Sequence, residues 1–157
     1  MSGGAEHAGE ALMKGGRPSG HAFLDHTSEI VVRLHAPSFA ELVEEAGRAF
    51  ADLVPKHLGG QASPDVREFT LEGRDAAATL VNWMNELVFL ADVERWVPCE
   101  LSARVDENTA GPVTALGIRA RGRVLERPFV LVKAATLHGV ELRPGPDGIE
   151  TEVTLDV

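Results

Sequence analysis

The sequence predicts an α+β domain in which two helices pack on a mixed, largely antiparallel β-sheet. Two segments carry apolar residues at helical spacing, whereas the others alternate apolar and polar residues with the period of two that is typical of strands. The elements read β-α-β-α-β-β-β-β along the chain. Because the closing strands follow one another without intervening helices, we expect a two-layer arrangement with both helices on one face of the sheet.

The first half of the chain supplies the first strand and the first helix. Alternation over residues 29–35 predicts the strand and leaves Glu29 on its more polar face. Ser38 and Glu41 have the S-x-x-E spacing of a capping box. They begin an amphipathic helix that ends near Pro55, because proline cannot continue it.

A strand over residues 66–73 precedes the second helix, for which Asp75 is the N-cap residue. Trp83 and Met84 belong to the apolar stripe of this helix, which indicates core positions. In the last strand the apolar residues share one face, so Asp156 belongs to the polar face. The remaining strands are predicted over residues 99–105, 115–126, 129–142 and 149–157.

Composition indicates one domain with a tail. Residues 1–20 are rich in glycine and are expected to form a flexible tail, and residues 21–157 a single domain. The formal charge of -9 argues against broad nucleic-acid binding. We expect a cytoplasmic protein, because neither an apolar stretch of membrane-spanning length nor an export signal is evident. The only cysteine, Cys99, excludes an intramolecular disulfide and is expected to fill the core.

The stretch "FLDHTSEIVV" concentrates acid, base and hydroxyl side chains before the first strand. A hydrolytic triad of Asp25, His26 and Ser28 is disfavoured, because neighbours in an extended chain point to opposite sides. A metal site is better motivated, since Asp25, His26, Glu29 and the distant Asp156 offer oxygen and nitrogen ligands. Composition alone favours a simple polar turn with a solvated Glu29.

Basic residues form a second group of candidates in the sequence, comprising Arg119, Arg121, Arg123, Arg127 and Lys133. Alternation places the first three on one strand face, where they would either receive an anionic partner or be solvated. Lys133 lies among small and apolar residues, so it either pairs with a carboxylate or extends its charge to the surface. His138 is interpreted as a strand-end residue.

Several segments together resemble the archease family: "DHTSEI", "LVNWMNELVFLAD", "VKAATLHGVEL" and the closing "VTLDV". The resemblance runs from Phe23 to Val157. It implies a two-layer α/β fold and a non-catalytic accessory protein of the RNA ligase that joins 2′,3′-cyclic-phosphate or 3′-phosphate ends to 5′-hydroxyl ends. Such a protein promotes metal- and GTP-dependent guanylylation of the ligase and its multiple turnover in tRNA splicing or RNA repair.

The resemblance also implies a site for a divalent cation, either Ca²⁺ or Mg²⁺ and Mn²⁺, formed by Glu29, Asp156 and Val157. Lys133 is the matching charge-balancing lysine. Glu29 departs from the aspartate that is usual in the family and adds one methylene, and Leu137 replaces a tyrosine.

Two other functions stay open at the level of sequence. One is a chaperone-like module for tRNA-modifying enzymes such as tRNA methyltransferases, which the resemblance also implies. The other is a metal-dependent hydrolase, for which no acid pair can be assigned as ligand and general base.

Overall fold

The computed structural model describes residues 17–106 and 114–157. Its two helices are α1 (Phe39–Leu53) and α2 (Ala76–Val93), with a short 3₁₀ turn at Lys56–Leu58. The strands are β1 (Gly20–His26), β2 (Glu29–Ala36), β3 (Gln61–Gly73), β4 (Trp96–Asp106), β5 (Thr114–Val124), β6 (Ala134–Thr136), β7 (Arg143–Gly145) and β8 (Gly148–Asp156).

The strands form two sheets, and every pairing in them is antiparallel. The larger sheet has the order β1-β2-β8-β6, and β7 pairs with the same edge of β8 as β6 does. The smaller sheet has the order β3-β5-β4. The predicted α+β class is confirmed, whereas the single sheet expected from the sequence is divided into two.

Both helices pack against both sheets through a large apolar core, and Leu90, Trp96 and Ala120 form a second, smaller cluster. α1 contacts β1, β2 and β4, and α2 contacts β3, β4, β5 and β6. The predicted caps are present, because the side chains of Ser38 and Asp75 each accept a hydrogen bond from a first-turn backbone N–H. Trp83 is fully buried, as predicted, and its indole N–H donates to the Val43 carbonyl at 3.1 Å.

The polar turn that was predicted before the first strand joins the two strands of a β-hairpin. β1 pairs with β2 from Gly20↔His35 to His26↔Glu29, which leaves Thr27 and Ser28 as the turn. Of the predicted tail, residues 1–16 lie outside the described residues, and Gly20 is the first residue of β1. A Thr-Ser turn lacks the Asn-Gly or Asp-Gly signal of a tight hairpin, so β1 was not predicted.

The strand predicted over residues 129–142 is wrong for most of its length. Only Ala134–Thr136 is a strand. Phe129 and Val132 are buried while Val130 and Leu131 between them are exposed, which is not a period of two. The Phe129 N–H instead donates to the Ala91 carbonyl of α2 at 3.1 Å.

The prediction that Cys99 fills the core is also wrong, because this residue is exposed. The pairing of β4 with β5 shifts in register between Pro98 and Glu100. Such an irregularity leaves the extra residue unpaired and turns its side chain outwards. The alternation inferred from the sequence resumes only at Leu101, which packs against the core.

None of the helices in residues 17–106 and 114–157 combines the length and apolarity needed to cross a bilayer.

A pair of glycines on β5 tests the packing of the smaller sheet. A Cβ at Gly122 would lie 2.4 Å from the Trp96 ring and 2.4 Å from the Val97 carbonyl oxygen, whereas a Cβ at Gly117 meets nothing within 4 Å. We expect Gly122→Ala to lower the free energy of unfolding by about 1–3 kcal/mol, as overpacking does. The matched control Gly117→Ala should leave it unchanged or raise it. Equal effects in urea titrations would contradict this account.

Candidate functional site

The outer face of the larger sheet, which points away from the helices, carries a row of side chains at one end. Glu29 lies opposite Asp156 in the pairing of β2 with β8. His26 lies opposite Glu29 on one side of this pair, and Ala134 opposite Asp156 on the other. We call these four residues the carboxylate row, after Glu29 and Asp156 at its centre. The polar-face positions predicted for Glu29 and Asp156 are confirmed, since Val32 and Leu155 on the opposite face are fully buried.

Backbone hydrogen bonds join the other two predicted site residues to this row. The Lys133 N–H donates to the Asp156 carbonyl at 2.8 Å, and the Val157 N–H donates to the Ser28 carbonyl at 3.2 Å. Asn85 of α2 fixes the neighbouring strand β6, because its side chain accepts from the Ala135 N–H at 2.8 Å and donates to the Ala135 carbonyl at 3.1 Å. Three segments distant in sequence therefore meet at one sheet end.

The electrostatics of the row are set by the opposition of Glu29 and Asp156. Directly opposed residues in an antiparallel pair have Cβ atoms about 4.5–5.5 Å apart, and like charges there repel. The Lys133 side chain is exposed and makes no ion pair within the described residues, so of its two predicted arrangements the extension of the charge to the surface is the one observed. Neither of the two opposed carboxylates makes an ion pair within the described residues.

The donor set fits a hard cation that accepts oxygen ligands. Carboxylates and backbone carbonyls are the groups that bind Ca²⁺ and Mg²⁺. In residues 17–106 and 114–157 no three His, Cys, Asp or Glu side chains group as a metal site. A cation at Glu29 and Asp156 would thus need backbone oxygens, such as those of Val157, or water to complete its ligands.

Asp25 and His26, two of the candidates from the stretch before the first strand, lie on opposite faces of the β1–β2 hairpin. Asp25 pairs with Ile30, on the face that carries the core, whereas His26 pairs with Glu29 on the outer face. Asp25 therefore does not join Glu29, and a triad of Asp25, His26 and Ser28 is excluded by the alternation along β1.

The basic strand face is present as predicted on β5. Arg119 pairs with Glu68 at 2.8 Å, and Arg121 donates to the Pro64 carbonyl at 3.2 Å. Arg123 is half-buried and donates to the Gly59 carbonyl. His138 lies in an exposed turn after β6, beyond the strand end where it was expected.

Sequence reasoning missed His21, whose ring lies at the other end of β1 from the carboxylate row. Its Nδ1 lies 2.5 Å from the buried carboxylate of Glu45, and its Nε2 lies 2.8 Å from a carboxylate oxygen of Asp52. Glu45 and Asp52 are seven residues apart on α1, which places them on one helix face. That spacing was the available signal, but nothing local in the sequence links it to His21.

The fold and this row define a class of small α+β proteins with a carboxylate pair at a sheet end and no assembled hydrolytic triad in the described residues. The family model described as "Archease protein family (MTH1598/TM1083)" matches residues 21–157. The chain belongs to the archease family.

Relatives and solved structures agree with this membership. The chain is 29% identical to protein archease of Archaeoglobus fulgidus over 87% of this chain and 98% of that protein. It is 28% identical to protein archease of Methanosarcina barkeri over 87% and 95%, respectively. The solution structure of Methanobacterium thermoautotrophicum protein 1598 matches with a TM-score of 0.70 at 25% identity, over 88% of this chain and 99% of that one.

A second solved structure shows the same fold. It is the crystal structure of an archease, a possible chaperone, from Thermotoga maritima. It matches with a TM-score of 0.55 at 20% identity, over 85% of this chain and 94% of that chain.

Repulsion between the Glu29 and Asp156 carboxylates should lower the free energy of unfolding, which can be measured. In buffer without divalent cations we expect Asp156→Asn to raise the free energy of unfolding by about 0.2–1 kcal/mol, because it removes a like charge opposite Glu29. The control Glu152→Gln, on the same face of β8, should lower the free energy or leave it unchanged, since it breaks the ion pair with Arg33 at 2.9 Å. A loss of stability in Asp156→Asn under these conditions would contradict the proposed repulsion.

His35, on the same outer face, has a pKa held below its ordinary value of 6.5 by burial and, secondarily, by the positive charge of Arg17. The unfolded chain therefore binds a proton at this position more readily than the folded one. The contribution to stability is present above about pH 6.5 and is lost as the pH falls below it. In His35→Gln this part of the acid dependence should disappear, as measured by urea titrations across that window. It should persist in the control His138→Gln; an unaltered dependence in both variants would refute the assignment.

Proposed function

We propose that this protein is an accessory protein of the RNA ligase that joins 2′,3′-cyclic-phosphate or 3′-phosphate ends to 5′-hydroxyl ends. In this role it promotes metal- and GTP-dependent guanylylation of the ligase and its multiple turnover, in tRNA splicing or RNA repair. It does not itself catalyse joining. The family to which the chain belongs, and the resemblance described above, supply the class of reaction.

One observation carries the proposal. The four positions that the resemblance implies are Glu29, Asp156, Val157 and Lys133, and they come from three separate segments. The strand register and two backbone hydrogen bonds bring all of them to one end of the larger sheet. A shared site requires this proximity, so the observed register is consistent with the proposal.

In this proposal Glu29, Asp156 and the backbone oxygens of Val157 hold a divalent cation. When bound, such a cation supplies charge neutralisation and orientation for phosphate groups. The charged side chains of this protein guide its docking to the ligase. The acidic sheet end approaches a ligase site that is basic because it handles nucleic acid, and complementary charge speeds such an encounter. The Lys133 ammonium is exposed and makes no ion pair with the carboxylates in the described residues, and in this proposal it lowers the negative charge of this sheet end at longer range.

Exposed apolar residues beside Lys133 support a protein partner. Val130 and Leu131 are 60% and 49% exposed, and they lie three and two residues before Lys133, respectively. The segment runs along α2, because Phe129 is bonded to Ala91 at one end and Ala135 to Asn85 at the other. Phe89 and Val93 on α2 are exposed as well. Apolar side chains that are grouped on a surface are typical of protein interfaces.

A chaperone-like module for tRNA-modifying enzymes is the second candidate. The same exposed apolar residues favour it, and the Thermotoga maritima archease is described as a possible chaperone. Co-purification separates the two functions. Capture of a tRNA methyltransferase in place of the ligase would favour the chaperone-like role.

The decisive measurement is the rate of guanylylation of the cognate ligase. We expect Asp156→Ala to slow this reaction at least about tenfold, because losing one ligand of a hard cation removes a charged contact that contributes more than 1.4 kcal/mol. The control Glu152→Ala removes an acid from the same face of the same strand and should retain full activity. Unchanged guanylylation in Asp156→Ala, with normal folding, would refute the proposed function.

A further inference from the structure

A cleft of about 530 Å³ lies at the opposite end of β1 from the carboxylate row. It is lined by four side chains that can carry positive charge: His21 of β1, Arg48 of α1, Lys56 of the 3₁₀ turn and Arg123 of β5. We call it the cationic cleft. His21 and His26 are five positions apart on one strand, which corresponds to about 17 Å, so the cleft and the carboxylate row are separate places on the molecule.

The charges of the cleft are only partly neutralised. Arg48 uses its Nε to contact the Glu45 carboxylate at 2.9 Å, which leaves its two terminal nitrogens as donors. Arg123 donates to the Gly59 carbonyl, a neutral group, and makes no ion pair within the described residues. Lys56 makes no ion pair in the described part of the chain.

The buried Glu45 carboxylate is not among the lining residues, but it contacts both His21 and Arg48 and offsets part of their charge. Among the described residues one carboxylate lines the cleft itself, and it already has a partner. This is Asp52, whose oxygen lies 2.8 Å from Nε2 of His21. The lining therefore carries an excess of positive charge in a chain whose formal charge is -9. Positive charge concentrated in a cleft of an acidic protein is a local exception, and clefts of one sign raise the local concentration of the opposite charge.

The remaining lining is apolar and includes Val54, Pro98 and Leu101. The volume is in the range of ordinary small-molecule sites, which combine an apolar lining with a few polar groups that set orientation. Two guanidinium groups and an ammonium fit an oxyanion that accepts several hydrogen bonds, which a phosphate monoester does better than a single carboxylate.

We propose that the cationic cleft binds a phosphate monoester with an apolar or planar body, the chemical class that includes nucleoside monophosphates. Lys56, Arg48 and Arg123 hold the phosphate, and the body lies against the apolar lining. The inference does not depend on the proposed ligase function, because it uses none of the residues of the carboxylate row.

Cys99 gives a direct reporter of this cleft, because it lines the cleft, is exposed and is the only cysteine of the chain. Calorimetry measures binding of uridine monophosphate to the full chain, and iodoacetamide, a neutral reagent, measures access to the thiol. We expect saturable binding of uridine monophosphate and a matching decrease in the alkylation rate. Uridine and inorganic phosphate, each lacking half of the ligand, should bind at least about tenfold more weakly.

The variant Lys56→Met removes one phosphate contact from an exposed position and should weaken binding about tenfold. The control Arg74→Met removes an exposed cation elsewhere and should bind as the unmodified chain does. Unchanged urea midpoints confirm that both variants fold. Absence of binding, binding that leaves Cys99 unprotected, equal binding of uridine, or an equal effect of the two variants would each overturn the proposal.

Discussion

The register between β2 and β8 is the constraint on which the rest of the molecule depends. These strands pair the start of the domain with its end, and their inner faces carry Val32, Leu34, Val153 and Leu155, all fully buried. A slip of one residue would turn these side chains to solvent. Because each buried valine or leucine contributes about 1.5–3 kcal/mol and opposed carboxylates cost at most about 1 kcal/mol, the core imposes the repulsive pair.

The position of the candidate site is fixed by groups that carry no charge. Backbone bonds from Lys133 to Asp156 and from Val157 to Ser28 hold the segments together, and Asn85 holds β6 against α2. The side chains of the carboxylate row take no part in these bonds. Removing a charge from the row therefore changes its electrostatics while the chain around it stays in place, which separates a functional role from a structural one.

Local patterns were sufficient for the helices, their caps and the long strands, because a cap or a period is a property of neighbouring residues. Glu29 and Asp156 were placed on the correct faces for the same reason. Patterns failed where a distant partner decides the structure. The segment around Phe129 bonds to α2, and the register shift beside Pro98 turns Cys99 outwards. The four cationic side chains of the cleft come from four elements, so no spacing in the sequence connects them.

The two ends of β1 carry opposite charge, and their separation has a consequence for any basic partner. The carboxylate row and the cationic cleft are about 17 Å apart along the strand, whereas the Debye length is about 8 Å at physiological ionic strength. A basic surface that meets Glu29 and Asp156 is therefore little repelled by Arg48, Lys56 and Arg123. At this distance along the β1–β2 hairpin, salt screens the interaction between the two sites, so the charge of one has little effect on a partner at the other.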